Sequence, residues 1–254
     1  MIKISAVIIT YNEEQNIQRC INSVKSIVDE IVVVDSYSTD NTKSICLKNS
    51  ISFYENEFKG YCDQKNFATG LAKHDIVLSL DADEFLSDQL IQSIFQVKSN
   101  WRFDAYKMNR LNFFCGKYLK HTDWYPDKKI RLFDRRHFRW SGLNIHETVE
   151  RIDNTAKVGF LKGDLIHNSN ISLGQHYEKA NKYADFLARE YYRYGKKNTI
   201  FDIIFKPKWQ FIKSYFIKLG FLDGYQGYLL SKLLEYSVFQ KYTRLKEFYQ
   251  TKSE

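Results

Sequence analysis

Within the first eighty residues, four short β-branched runs each stop at a polar or acidic residue, and a stretch of helical character separates each from the next. They are Ile4 to Thr10, Glu30 to Asp35, Ser52 to Glu55, and Asp75 to Leu80 running into Asp81-Ala82-Asp83-Glu84. Between the first two, Ile17, Cys20, Ile21, Val24 and Ile27 recur at three- and four-residue spacing, the period of one helix face. Ser38 to Thr42 supply turn and cap residues ahead of a helical stretch through Leu47, and Tyr61 to Lys73 reads as a helix. Asn12-Glu13-Glu14-Gln15 has the residues of a capping box. Such alternation predicts an α/β fold, with a mostly parallel sheet covered by helices.

After about residue 100 the pattern changes. Ala105 to Arg110, Lys129 to Phe133 and Gly159 to Ile166 read as strands of a mixed-sheet extension. Leu173 to Tyr194 reads as a helix, and Ile200 to Phe248 as two or more amphipathic helices broken near Gly220, Gly224 and Gly227. No internal repeat or linker is visible. Charge follows the same division: residues 1–100 hold 9 Lys and Arg against 14 Asp and Glu, whereas residues 101–254 hold 29 against 16. A basic half suits nucleic acid, anionic lipid or a phosphorylated substrate alike.

With 19 Phe, 18 Tyr and only two Pro, the chain is far from a disordered composition. Cys20, Cys46, Cys62 and Cys115 form no CxxC pair, which predicts free thiols in a reducing compartment. The amino terminus reads as a strand and not as a signal peptide. No apolar run reaches the roughly 18 residues of a membrane span.

Asp81 and Asp83 stand two residues apart just past a buried strand, so an extended backbone projects both carboxylates to one side. Carboxylates so placed suit a Mg²⁺ or Mn²⁺ ion whose other positions go to water and phosphate oxygens. In open α/β sheets ligands gather outside the carboxyl ends of the strands, where Thr10, Asp35 and Asp81 all lie. The alternative is that Asp81, Asp83 and Glu84 cap a helix starting near Asp88.

Three segments together, Ile8 to Glu14, Val33 to Asp40 and Leu80 to Glu84, resemble the family 2 glycosyltransferases of the GT-A fold. Trp124 to Asp127, Arg131 to Phe133, Ile145-His146-Glu147, Leu165 to Ser169 and Gly220 to Gly224 resemble the subgroup that includes lipopolysaccharide inner-core β-1,4-glucosyltransferases. The resemblance implies a catalytic domain over residues 1–195, with a nucleotide-sugar half (1–100) and an acceptor half (101–195), and a helical extension over 196–254. It implies that Thr10, Tyr11, Glu13, Asp35, Lys65, Asp81, Ala82 and Asp83 bind a UDP-sugar donor, with Asn66 close by. Tyr11 would offer a flat face to the base, and Asp35 would meet uracil or ribose; for Lys65 a surface salt bridge is the rival role. Asp83 would be the first metal ligand and Asp81 a second. His167 stands either as a further ligand or as a satisfied core histidine.

An inverting transfer needs a base for the acceptor hydroxyl. The Glu-Asp pair in which many members carry it is missing here. Glu147 is the nearest counterpart, with His146 and Asp127 as rivals. The site is no zincin, because Glu150 stands where a second His would be. Trp124, Asp127, Arg131 and His146 are candidates for a phosphorylated glycolipid acceptor, within a basic cluster that also holds Lys128, Lys129, Arg135, Arg136 and Arg139. An ordinary solvated charge run is the competing view. Trp209, Phe211, Ile212, Tyr215, Phe216, Leu219 and Leu222 share one helical arc, which either packs on the catalytic domain or lies on the cytoplasmic face of the inner membrane.

Other classes fit less well. A nucleic-acid binder leaves the acid cluster unexplained and lacks a recognised motif, and a dinucleotide oxidoreductase would need GxGxxG where TYNEE stands. A family 2 enzyme acting on a capsule sugar, lipid carrier or protein stays open.

Overall fold

The structure is a computed structural model and describes residues 1–49, 51–142, 147–169 and 172–251. The chain divides into two compact units, one of residues 1–111 and 127–168, the other of residues 112–126 and 169–254.

In the first unit, β1 (Ile4–Thr10), β2 (Glu30–Asp35), β3 (Ser52–Glu55) and β4 (Ile76–Asp81) pair in parallel in the order β3-β2-β1-β4. The helices between them are α1 (Ile17–Val24), α2 (Thr42–Lys48) and α3 (Tyr61–Leu71). Strand alternation sorts the core: Ile4, Ala6 and Ile8 face the α1 side with Ile17, Cys20, Ile21 and Val24, while Val7 joins Ala68 and Ala72 at α3. An eight-residue helix such as α1 is marginal alone. Its four fully buried apolar side chains, at about 1.5–3 kcal/mol for each large one, hold it in place.

Beyond β4 come β5 (Glu84–Leu86), α4 (Asp88–Ser99), β6 (Ala105–Phe114), β7 (Lys117–Tyr118), β8 (Asp127–Asp134), β9 (Phe138–Ser141), β10 (Thr148–Arg151) and β11 (Val158–His167). The sheet continues β4-β8-β6-β11-β5, with β8 antiparallel to β4 and to β6, and β5 antiparallel to β11. β9 and β10 form a separate antiparallel pair. The expected mixed extension is therefore present, and it also contains β5, β9 and β10, which are too short to show a period.

The second unit holds α5 (Leu173–Arg193), α6 (Ile200–Ile212), a π-helical turn (Lys213–Ile217), a 3₁₀ turn (Gly220–Asp223) and α7 (Tyr225–Gln250). α5 and α6 both pack on α7. The buried Asp223 carboxylate accepts the His121 N–H at 2.8 Å, and Lys117 Nζ donates to the Asp223 carbonyl at 2.9 Å. Gly227 lies inside α7 and breaks nothing; a Cβ there would come within 1.9 Å of the Gly220 carbonyl oxygen.

α5 and residues 112–126 group with the C-terminal helices in the second compact unit. Two expectations are corrected. The helix expected from Asn12 begins at Ile17, because Asn12 takes φ 53° and its amide oxygen accepts from Thr39 N at 2.8 Å. α4 is capped by Ser87, whose Oγ accepts from Leu90 N, so the acids before it are not its caps.

Gly163 fixes β11 against α4. It sits at φ +96°, and a Cβ would lie 2.3 Å from Leu90 N. Gly163→Ala is expected to destabilise the first unit by at least about 2 kcal/mol, read as a lower urea midpoint at unchanged slope.

Candidate functional site

At the carboxyl ends of β1 and β2, two loops are tied together and lift aromatic rings into solvent. Asn12 N donates to Ser38 Oγ at 2.7 Å, and Ser38 donates to both Asp35 oxygens, from Oγ at 2.5 Å and from N at 2.6 Å. Glu14 accepts from Asn41 N, and Asp40 from Glu14 N, each at 3.0 Å. Asn12 and Tyr37 are held at φ 53° and 61°, a conformation uncommon outside glycine. The rings of Tyr11 and Tyr37, 59% and 57% exposed, stand at these strand ends as free aromatic surface. Thr10 Oγ1, buried at the same edge, has no hydrogen-bond partner among the described residues.

The floor of this end is a network of buried and half-buried charges. Lys65, 1% exposed on α3, places Nζ 2.9 Å from Asp81 Oδ1 and 3.1 Å from Glu147 Oε1. Arg131 on β8 donates from Nη2 and Nε to Glu84 at 2.7 and 3.1 Å, and from Nη2 to Asp81 Oδ2 at 3.3 Å. Both cations lie over the Trp140 ring, with Lys65 Nζ at 4.4 Å and Arg131 Cζ at 5.1 Å. Trp140 is fixed in turn, by Nε1 to Ser79 Oγ at 3.2 Å and by paired hydrogen bonds with Asn66. Burial works to raise the Asp81 pKa, but Lys65 and Arg131 outweigh it and hold this carboxyl well below the usual carboxylate range.

Beside this floor, Asp83 Oδ2 lies 3.1 Å from His167 Nε2. The register of β11 on β5, His167 opposite Glu84, brings the imidazole there. Asn168 N donates to the Asp83 carbonyl at 2.9 Å, and Asn168 Nδ2 reaches Asn16, whose own amide donates to Glu13 at 2.8 Å. Burial pushes the Glu13 carboxyl up; the Asn16 hydrogen bond opposes this, while the nearby Asp83 and Asp40 add to it. A cation beside Asp83 would relieve that crowding of negative charge. Among the described residues no three His, Cys, Asp or Glu side chains group as a metal site. Asp83 and His167 nonetheless fit a divalent ion that takes its other ligands from water and phosphate.

The structure thus brings Thr10, Tyr11, Glu13, Lys65, Asp81, Asp83, Glu147 and His167 to one end of the first unit, and it gives several of the expected site residues partners within the protein. Asp35 is fully buried, and its carboxylate accepts from Ser38 at the loop that carries Tyr37. Ala82 is buried with its N–H donated to the Ile9 carbonyl. Lys65 forms no surface salt bridge. Asp81 faces two cations, which disfavours it as a metal ligand. Arg131, 4% exposed, has its guanidinium turned to Glu84 and Asp81.

The basic cluster as a whole disperses. Arg135 donates to the Thr69 carbonyl in α3 and to the Ala72 carbonyl just past it, and Arg136 pairs with Asp134. Asp127 is paired with Arg110 at 2.8 Å and Lys129 at 3.2 Å. Trp124 belongs to the second unit, where its ring meets Phe114 and His176. His146 lies outside the described residues. Sequence reasoning missed Glu84, Trp140 and Tyr37 as site components. Spacing could have placed Arg131, which shares a strand face with the core residue Phe133.

The family described as Glycosyl transferase family 2 matches residues 5–151. The chain is 34% identical to an uncharacterized glycosyltransferase of Rickettsia typhi, over 97% of this chain and 88% of that one. It is 25% identical to the lipopolysaccharide core biosynthesis glycosyltransferase LpsC of Rhizobium meliloti, over 94% and 93%. Among solved structures, Staphylococcus aureus TarS 1-349 in complex with UDP is similar at TM-score 0.48 and 16% identity, covering 98% of this chain and 92% of that one.

Two outcomes test the network. Glu84→Gln leaves Arg131 partly uncompensated in a buried site and is expected to cost about 3–5 kcal/mol of stability in urea unfolding. Asp81 titrates lower when folded than when unfolded, so its contribution is present above the unfolded value near 4 and fades as pH falls toward the folded value. Asp81→Asn is therefore expected to flatten the acid side of the stability–pH curve below about pH 4.

Proposed function

The chain belongs to glycosyl transferase family 2, and from that premise we propose that this glycosyltransferase, which uses a nucleotide sugar, moves a hexose, glucose as the leading choice, from UDP to a phosphorylated lipopolysaccharide or lipooligosaccharide core sugar with inversion. The observation that carries the reading is the buried ammonium of Lys65, which holds Asp81 and Glu147 at the same end of the first unit as the Asp83–His167 pair.

In this reading Tyr11 and Tyr37 take the base between exposed rings, and the unpartnered Thr10 hydroxyl bonds the nucleoside. Asp81, kept ionised by Lys65 and Arg131, accepts from donor hydroxyls. Glu147 takes the proton of the acceptor hydroxyl as its oxygen bonds to the anomeric carbon; the bond from that carbon to the diphosphate oxygen breaks, and UDP departs with the electron pair. Asp83 and His167 would hold a Mn²⁺ or Mg²⁺ ion, which when bound neutralises charge on the diphosphate. The named role of the LpsC relative supports a core-sugar acceptor. Such acceptors are lipid-linked, which supports work at the cytoplasmic face of the inner membrane; no helix among the described residues is long and apolar enough to cross it.

Thermal unfolding with UDP-glucose, other UDP-sugars and GDP-mannose, with and without Mn²⁺, tests the donor reading. UDP-glucose with Mn²⁺ is expected to raise the midpoint by mass action, and Asp83→Ala or His167→Ala to abolish the metal-dependent part. Glu147→Gln should keep the shift and lose about 10²–10⁴ in turnover. No shift with any sugar nucleotide would sink the donor assignment, and full turnover in Glu147→Gln the assignment of the base.

A further inference from the structure

We propose that the exposed apolar side of α6 and the π-helical turn after it docks on an anionic lipid bilayer, with the lysines of the same segment against the headgroup phosphates. The proposal deepens the membrane partner named above and rests on that reading.

A globular helix ordinarily turns its apolar stripe inward. α6 has already done so with another part of its surface, where Ile203 and Pro207 are buried. Yet Phe201, Phe205, Trp209, Ile212 and Phe216 follow one another at steps of three and four residues, and each is 42–61% exposed. The Phe201 and Phe205 rings stack on one another at 3.9 Å between centroids, which keeps them side by side in solvent. This stripe is therefore no leftover of the core. Next to it, a cavity of about 430 Å³ opens between α6 and α7, lined by Ile203, Ile204, Pro207, Tyr236 and Phe239, with Glu235 paired to Lys208 and Lys232 in its wall.

The π-helical turn departs from the α-helical repeat just past Ile212. It leaves Tyr215 half-buried, stacked near Phe211 at 5.3 Å, while Phe216 and Ile217 lie exposed. The stripe thereby continues for another turn.

Charge selects the occupant. Residues 200–222 hold four lysines, Lys206, Lys208, Lys213 and Lys218, against one acid, Asp202. Lys206, Lys208 and Lys213 bridge to Asp202, Glu235 and Asp123, but their side chains stay 51%, 68% and 41% exposed and reach solvent beside the aromatic stripe. A second copy of the same face would bring lysines against lysines across a two-fold axis. Anionic headgroups complement the lysines, and the aromatic rings suit the headgroup–acyl boundary of a helix lying in the membrane plane. At 13 residues α6 is too short to span, since a crossing helix needs about 20.

Sedimentation with vesicles of phosphatidylcholine alone, and of phosphatidylcholine with phosphatidylglycerol, tests this on the full chain. Binding is expected to the second and not the first, and to weaken as salt rises. The double variant Phe205→Ser/Trp209→Ser, altered only at exposed positions, should lose about tenfold or more in partition. Lys208→Gln/Lys213→Gln should lose the preference for anionic vesicles. Absence of binding to phosphatidylglycerol vesicles at low salt would overturn the proposal. So would a wild-type dimer in analytical ultracentrifugation that Phe205→Ser/Trp209→Ser dissociates. The thermal shift with UDP-glucose separates the two readings: a double variant that loses vesicles but keeps the shift speaks for the face, whereas a wild type without the shift speaks against the donor site and leaves the vesicle result standing.

Discussion

The geometry of the site depends on one ammonium group that water does not reach. Lys65 Nζ is contacted by a carboxylate from the end of β4 and another from the residue just before β10, with the Trp140 ring of β9 beneath it. Desolvating an ammonium costs several kcal/mol, which its partners return only in good geometry, so buried pairs of this kind add little net stability. What they fix is position. Any displacement of α3, β4 or the β9–β10 pair leaves a buried charge without its counterion. The Arg131–Glu84 pair repeats the device one strand over, so that Asp81 is approached by cations from two elements at once.

The network forms where the sheet changes direction. β4 has parallel β1 on one side and antiparallel β8 on the other. A parallel neighbour would turn its own carboxyl end to the same side; β8 instead brings its interior residue Arg131 alongside the carboxyl end of β4. The short β5 then pairs with β11, which ends at His167 beside Asp83. Ligands in open α/β sheets gather at such switch points, and here the chemistry at that point is supplied by strands that arrive from far along the chain.

The amino acid pattern made the parallel half of this fold legible because β1, β2 and β4 are largely buried and α1 carries a clear 3.6 period. β1, β2, β3 and β4 fall within a residue of where the β-branched runs place them. The elements that complete the site were not legible for physical reasons. β5 and β10 are three and four residues long, too short to show alternation. Trp140 shows in sequence as one aromatic among many, and only the fold sets it beneath Lys65 and Arg131. Formal charge also misled: Arg131, Arg135 and Arg136 form a cluster in sequence, but strand alternation and the turn after β8 send them to Glu84, to the end of α3 and to Asp134. Asp35, at a strand end that suggested a ligand, accepts from Ser38 at the loop that presents Tyr37.

The pair Asp81 and Asp83, alike in sequence, divides two kinds of work because the backbone between them leaves the sheet. Asp81 is the last residue of β4 and stays in register with β1, so its side chain meets the cations of α3 and β8. Ala82 bonds back to Ile9, and Asp83 lies past that bond and before β5, where an imidazole and the crowded Glu13 face it. One carboxylate is neutralised in place and is therefore a poor further ligand for a cation. The other lies beside a second donor atom, the His167 imidazole nitrogen, and so has a reason to take one. An acid pair of this kind is best understood as one residue that builds the floor and one that faces the ligand, and the difference is set by which of them the sheet still holds.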